Sequence, residues 1–529
     1  MQEEKMDPEK SVIGLELGST RIKAVLTDES FEVLAQGDHV WANRLENGIW
    51  TYSEKEIEEG IRACYKALKE DVKNRYGITL KKVGAIGISG MMHGYVPLDK
   101  DGRLLTAFRT WRNTITGEAA EILTERFNFN IPQRWSIAHL YQAVLNDEPH
   151  VKDIAYLTTL AGMVHLRLTG EKNMGIGEAS GMFPIDSSTF SYNEAFLERF
   201  DELVEEKNYP WKLKEILPEI KLAGEEAGQL TAEGARFLDP ERDLEAGIPL
   251  APCEGDAGTG MTATNSVRVY TGNVSAGTSD FAMIVTDHEM GVHREIDMVT
   301  TPSGAPVAMV HCNNCTTDIN AWVSLFSEFA SAIGKPMSSG ELFTLLFKKA
   351  LEGDPDAGGL LNYNYYSGEG VTDLNEGRPV FLRTPEASFT LANVMRSHMM
   401  SALSTLKIGL DILIGEEKVR VDKLYGHGGF FKTPGVGNRF LSAAAEAPVL
   451  LMETAGEGGP YGMALLALYM IAKKDDESLE EFLDNRVFKD APVSRIMADE
   501  SDIQGFREYV ARYKKSLPVE EKAIETLEL

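Results

Sequence analysis

The stretch Ser11-Val-Ile-Gly-Leu-Glu-Leu-Gly-Ser-Thr-Arg-Ile-Lys-Ala-Val-Leu-Thr-Asp28 reads as a β-hairpin. Ser11 to Leu17 alternates toward a strand, Gly18-Ser19-Thr20-Arg21 supplies turn residues, and Ile22 to Asp28 resumes apolar strand character. The same pattern returns in the second half of the chain, where Gly277-Thr278-Ser279 leads into Phe281-Ala-Met-Ile-Val285 and ends Thr286-Asp287. In both copies the glycine precedes the terminal aspartate by the same number of residues. Two domains of related fold, each opened by one Gly-hydroxyl hairpin, follow from this echo; coincidence between two ordinary hairpins is the competing reading. Turns of this composition expose N–H groups and hydroxyls, a nest that suits phosphate oxygens.

Outward from the first hairpin, a third strand is expected at Phe31 to Ala35. Ser53 and Glu56 stand at capping-box spacing and open a helix with an apolar stripe of Ile57, Ile61, Cys64, Tyr65, Leu68 and Val72. Val83 to Ile88 reads as a buried strand ending in Ser89-Gly90. Three strands, a helix and a strand is not the alternation of a doubly wound Rossmann unit. Further on, Gly426-His-Gly-Gly429 follows a short strand, Lys423-Leu-Tyr425, and Glu457-Gly-Gly-Pro-Tyr-Gly462 precedes a helix from Met463 to Ala472. Glycines at such ends admit close approach by a ligand, or serve only turns and tight packing. No low-complexity linker interrupts the chain, so a short hinge is expected near Asn265 to Tyr270.

The 529 residues carry 53 Lys+Arg against 81 Asp+Glu, a formal net charge of −28, with 43% hydrophobic and 25% charged residues. That composition is globular and multidomain, and its sign opposes generic binding of nucleic acid or anionic lipid. The longest wholly apolar run, Met463 to Ala472, is about half of the ~20 residues a membrane helix needs. The N-terminal residues lack the apolar core of a secretory signal, and four scattered cysteines fit a reducing compartment, so a cytoplasmic location is expected.

Several motifs fail on inspection. Gly334-Lys335 is followed by Pro336, which excludes a Walker motif. Gly258-Thr-Gly260 lacks the preceding central strand of a dinucleotide site because Pro249 and Pro252 interrupt it. Cys312-Asn-Asn-Cys315 has half the spacing of a zinc site without a second pair, and reads as buried thiols. Asp256, among small residues in Cys253-Glu-Gly-Asp-Ala-Gly-Thr-Gly260, could accept a proton from an alcohol or could cap a helix starting at Ala257. Met91-Met-His-Gly94 with Trp111, Arg112 and Asn113 mixes aromatic and hydrogen-bonding groups as a sugar site does, although core packing explains the pattern alone.

Taken in order, these segments resemble the FGGY carbohydrate kinases, members of the superfamily that includes hexokinase, actin and the Hsp70 ATPase. Gly14 to Lys23 resembles the family's first phosphate motif and Ser275-Ala-Gly-Thr-Ser279 its second. Gly87 to Gly94, Pro97 to Gly102 and Trp111 are similar to the sugar-binding segment of xylulokinases, Glu254-Gly-Asp256 to the segment of the catalytic base, and Gly426 to Lys432 with Glu457 to Gly462 to the adenosine-binding signature. Glu16 stands where Asp is usual, Met91 where Gln is, Asn113 where an Asp is, and Gly368-Glu-Gly-Val-Thr372 replaces Gly-Glu-Arg-Thr-Pro.

The resemblance implies an α/β fold of two stacked domains, of the hexokinase/actin/Hsp70 (ribonuclease H-like) type, with an interdomain cleft: residues 11–266 for sugar and phosphate, 267–476 for nucleotide, and a charged helical tail at 477–529. It implies phosphoryl transfer from ATP with Mg2+ to a terminal hydroxyl of a ketopentose. Asp256 would be the base; Met92, His93, Trp111, Asn113 and Asp256 would bind the sugar. Gly18, Ser19, Thr20, Lys23, Gly277, Thr278 and Ser279 would bind phosphate, Gly428, Gly429, Lys432, Gly458 and Gly459 adenosine, and Glu16 and Asp28 the metal. The expected partners are a small sugar and ATP, with a homodimer as the assembly in view. The alternatives are a kinase for another ketose or polyol, and a non-catalytic sugar- or nucleotide-sensing protein on the same fold.

Overall fold

In the computed structural model, which describes residues 6–288, 290–452 and 458–527, strands β1 (Val12–Leu17) and β2 (Arg21–Thr27) pair antiparallel, with Leu17 opposite Ile22 and Val12 opposite Thr27. β3 (Val33–Val40) joins β2 on its far side. It starts later than Phe31 because the Asp28 carboxylate accepts the N–H groups of Ser30 (2.9 Å) and Glu32 (3.0 Å), and Phe31 sits in the left-handed region at φ 67°. The chain crosses through α1 (Glu54–Tyr76) to β4 (Ala85–Gly90), parallel to β1, and β5 (Glu254–Gly255) adds parallel to β4. The sheet order is β5-β4-β1-β2-β3.

Local chemistry explains α1. Ser53 and Glu56 form the reciprocal capping box, and Gly77 at φ 69° ends the helix. The six stripe residues are all buried, as expected from their spacing, and Lys69 is buried with them. Its ammonium donates to Asp239 (2.9 Å), Glu241 (2.8 Å) and Asp243 (3.0 Å). A second helix, α2 (Asp256–Ala263), follows β5 directly. α3 (Gly458–Ala472) is apolar around its whole circumference and packs against both β1 and α2. That approach requires bare backbone: a Cβ on Gly14 would stand 2.0 Å from the Pro460 carbonyl oxygen, and one on Gly462 1.9 Å from that of Thr259.

The second sheet repeats the plan. β6 (Thr271–Ala276) and β7 (Asp280–Val285) form a hairpin with the same three-residue loop length as β1–β2. With β8 (Ile296–Thr300), β9 (Pro306–Cys312), β10 (Lys423–His427), β11 (Val449–Met452) and β12 (Val493–Ile496), the order is β8-β9-β7-β6-β10-β11-β12. β10 runs parallel to β6 and β11 parallel to β10, as β4 and β5 do beside β1. The echo in the sequence is therefore an echo in topology.

The chain divides into two compact units, Met1–Val267 with Met298–Val307 and Glu457–Asp490, and Arg268–Asp297 with Ala308–Gly456 and Ala491–Leu529. The first break lies inside the Asn265 to Tyr270 segment. The C-terminal stretch divides at Asp490, and its helix Glu500–Lys515 buries Phe506, Tyr509 and Tyr513 in the second unit, where the Tyr509 hydroxyl donates to the Ser397 carbonyl at 3.0 Å. Among the described residues no helix is long and apolar enough to cross a membrane.

Candidate active site

In the first hairpin turn every carbonyl is tied back into the protein. Gly18 O accepts from the indole N–H of Trp41 at 2.7 Å, Ser19 O from the Tyr52 hydroxyl at 2.5 Å, and Thr20 O from the Trp41 main-chain N–H at 3.2 Å. The Gly18 N–H closes the loop on Arg21 O. Among the described residues no protein acceptor takes the N–H of Ser19 or Thr20. Peptide groups whose oxygens are held on one side present their N–H dipoles to the other, an arrangement that favours an anion. The Ser19 hydroxyl accepts from the Trp111 indole N–H at 3.1 Å.

The second turn obeys the same rule with different donors. Gly277 O accepts from both the N–H (3.0 Å) and the hydroxyl (2.6 Å) of Thr316, Thr278 O from Cys315 N–H at 2.9 Å, and Ser279 O from Gly277 N–H at 2.9 Å. Thr278 and Ser279 keep N–H groups that no acceptor among the described residues takes. Gly428, at φ 104°, lies so close to the end of β6 that a Cβ there would meet Ala276 O at 2.4 Å. The Gly277–Ser279 turn and Gly428-Gly429 are thus neighbours, and Lys432 is exposed just beyond them. Gly458 and Gly459 open α3 in the first unit, where a Cβ on Gly459 would stand 2.3 Å from the Glu16 carboxylate. The five residues read as adenosine-binding therefore divide between the units.

Asp256 is the first residue of α2, with Gly255 in the cap position and no side-chain cap bond. The helix-cap reading thus fails. Its carboxylate instead accepts the Met92 N–H at 3.1 Å, joining α2 to the loop after β4. Burial raises its pKa above the ordinary aspartate value, against the lowering effect of the Met92 and Ala257 N–H groups. Three glutamates share this region. Glu16, opposite Lys23 in the hairpin, is raised to about 7 by burial and by the charge of Asp256, with Lys23 opposing. Glu254 accepts the N–H groups of Glu178 (2.9 Å) and Gly177 (3.4 Å), and burial raises it to about 8. Glu178 is wholly buried, and burial raises it well above its ordinary value.

A raised carboxyl pKa has a signed consequence for stability. The folded state holds a proton on Glu254 that the unfolded chain releases near 4.5, so this contribution is complete below about pH 4.5 and is lost as pH rises through about 8. Glu16 acts in the same sense. The urea midpoint should fall between about pH 5 and pH 8, and Glu254→Gln should flatten that decline. An undiminished slope in the variant would remove Glu254 from the account.

The remaining expected residues are placed as follows. His93, buried at φ 70°, turns Nδ1 toward the Gly181 carbonyl at 3.2 Å and stacks on Trp135 at 6.2 Å. Met92 thus stands at Asp256, the His93 ring lies between Gly181 and Trp135, and Trp111 stands at the first turn. Asn113 is buried, and its amide is occupied by Trp50: Oδ1 accepts Trp50 N–H (2.8 Å), and Nδ2 donates to Trp50 O and Thr110 O (both 2.9 Å). Asp28 is not brought to Glu16. It follows β2 at the end remote from the turn, five residues past Lys23, or roughly 16 Å at about 3.3 Å per residue. Its carboxylate is occupied by the Ser30 and Glu32 N–H groups. Cys312 and Cys315 are buried free thiols.

Sequence reasoning missed Trp41, Tyr52, Cys315 and Thr316, which hold the turns, and Glu178 and Glu254, which are buried in the region of Asp256. The available signal was the requirement that a buried indole N–H or phenol O–H find an acceptor, which marks Trp41 and Tyr52 as candidates without naming their partners.

Known proteins show the same organisation. A xylulose kinase from Haemophilus influenzae is 23% identical over 424 residues, which cover 76% of this chain and 79% of that one. The crystal structure of a ligand-bound xylulose kinase from Lactobacillus acidophilus superposes with a TM-score of 0.79 at 16% identity, over 96% of this chain and 98% of that one. A gluconate kinase from the same organism gives 0.77 at 15% identity, over 96% and 98%. At these identities the structural likeness speaks for the fold. Residues 11–262 match the N-terminal domain of a single family and residues 272–471 its C-terminal domain, so that by both halves of its sequence, in order, the chain belongs to the FGGY family of carbohydrate kinases.

Proposed function

We propose that the protein transfers the γ-phosphoryl group of ATP to a terminal hydroxyl of a ketopentose, xylulose- or ribulose-like, with Asp256 as general base. The observation that carries this reading is the pair of turns whose carbonyls are all held back, because a phosphate-binding protein needs N–H groups with no other acceptor. Asp256 takes the hydroxyl proton as the sugar oxygen forms its bond to phosphorus and the bond to the bridging oxygen breaks, releasing ADP. A base raised above the ordinary aspartate range is a stronger proton acceptor, and its Met92 bond fixes where it points.

Met92, His93 and Trp111 supply the sugar's surroundings, and Asn113 holds the main chain at Trp50. Gly18, Ser19, Thr20 and Lys23 offer phosphate contacts in the first unit and Gly277, Thr278 and Ser279 offer them in the second; Gly428, Gly429 and Lys432 of the second unit, and Gly458 and Gly459 of the first, are the residues for adenosine. Two buried carboxyls, Glu16 and Asp256, the charge of the second raising the pKa of the first, suit a hard divalent ion that keeps part of its water. Glu16 would hold Mg2+ in this way, and the ion when bound offsets charge on the phosphates.

Xylulose in the names of relatives favours a ketopentose, while glycerol in another relative's name keeps a polyol as the alternative. Consumption of ATP across ketopentoses, ketohexoses and polyols decides between them. The highest kcat/KM is expected with a ketopentose. A preferred polyol would move the assignment within the family, and no consumption with any acceptor would favour a sensing role.

A further inference from the structure

We propose that Glu369 is a positioning residue for phosphate binding: from behind the Gly277–Ser279 turn it fixes the loop that aims the turn's free N–H groups outward. The inference rests on the phosphate-binding reading of that turn. Glu369 is wholly buried in the second unit, at the start of a short helical turn, Gly370–Thr372. Its Oε2 accepts three donors from one loop, Asn313 N–H at 2.9 Å, Asn314 N–H at 3.2 Å and Asn314 Nδ2 at 3.2 Å. Asn314 binds back through Oδ1, which accepts the N–H groups of Tyr366 (2.9 Å) and Ser367 (3.0 Å). The loop is thus braced on two sides before its next two residues, Cys315 and Thr316, reach the carbonyls of Thr278 and Gly277.

The arrangement is an unusual use of charge. A carboxylate in an interior is costly unless its donors converge on it, and here three converge on one oxygen while Oε1 has no hydrogen-bond partner among the described residues. Packing alone gives no reason for the acid, and a second buried carboxyl, Asp280, immediately follows the turn. What the charge provides is orientation. Burial raises the Glu369 pKa to about 7, and above that pH, where the carboxylate is ionised, bonds to it are roughly twice as strong as neutral ones, so the peptide planes at Asn313 and Asn314 are held hardest and the two that follow inherit their direction.

The test compares affinities for ADP and adenosine in the purified full chain by calorimetry, using Glu369→Gln and Glu369→Ala. Wild type should bind ADP more tightly than adenosine. Glu369→Gln, which keeps shape and an acceptor oxygen, should lose about tenfold in ADP affinity while adenosine affinity stays within about twofold, and Glu369→Ala should lose more in the same pattern. Equal losses for both ligands would show a merely structural residue, and an unchanged ADP-to-adenosine ratio in both variants would overturn the inference. Thr278→Pro, which removes one of the free N–H groups directly, separates the two readings. If it abolishes the preference for ADP while the Glu369 variants do not, the positioning role fails and the turn's role stands. If it leaves the preference intact, the turn does not bind phosphate and both fail.

Discussion

Asp256→Asn is expected to yield a folded protein that binds ATP and sugar and turns over roughly 10²–10⁴-fold more slowly than wild type. The amide matches the carboxylate in volume, and its oxygen can still accept the Met92 N–H that now holds the side chain at 3.1 Å. What it lacks is basicity, so the hydroxyl proton has no destination as the oxygen attacks. The loss should therefore fall on kcat with KM nearly unchanged, as when an interaction made only in the transition state is removed. The raised pKa of Asp256 adds a second readout, because the acid limb of the wild-type kcat/KM profile should lie above the ordinary aspartate range. Wild-type turnover in a purified, folded sample would remove Asp256 from the chemistry. Loss of folding would instead mean that the Met92 contact needs the charge.

Lys69→Met should do the opposite, with a cost of about 3 kcal/mol in stability and little change in kcat for the folded protein. The ammonium is nearly enclosed, its side chain 9% exposed, and so is its partner Asp239 at 3%. Methionine replaces the stem but leaves Asp239 charged in the interior. The figure belongs at the low end of the range for such removals because Asp239 also accepts the N–H groups of Asp243 (2.9 Å) and Leu244 (3.0 Å). Urea unfolding measures it. A midpoint indistinguishable from wild type would show that these amides suffice and that the three-carboxylate cluster contributes nothing.

The two cases also mark what a sequence can and cannot disclose. The hairpins and α1 were legible because their determinants are local: alternation, turn residues, a capping box and a stripe at three- and four-residue spacing. Lys69 lies in that stripe yet has no place in an apolar pattern, since the carboxylates that bury it stand some 170 residues away in the chain. The family resemblance implies Asp28 as a metal ligand, but its own turn claims it, a local bond that also delays β3. Asn113 belonged to a polar trio by proximity, and only the fold reveals that Trp50 occupies its amide. The glycine-hydroxyl turns were visible as composition. The donors that orient them were not, because they arrive from Trp41, Tyr52, Cys315 and Thr316 by tertiary folding.

Those donors differ in kind, and the difference bears on inheritance. The first turn is restrained largely by side chains, an indole and a phenol stacked on each other at 4.1 Å. Any substitution that deletes either polar tip frees a carbonyl, so natural variation at Trp41 or Tyr52 can retune this end of the molecule in one step. The second turn is restrained chiefly by main-chain amides, which every residue but proline supplies. Drift at position 315 leaves its bond to Thr278 intact. Within a lineage the first turn is the adjustable grip and the second the buffered one, and sequences that diverge in substrate or affinity should carry their changes around residues 41 and 52 before they carry them at 315.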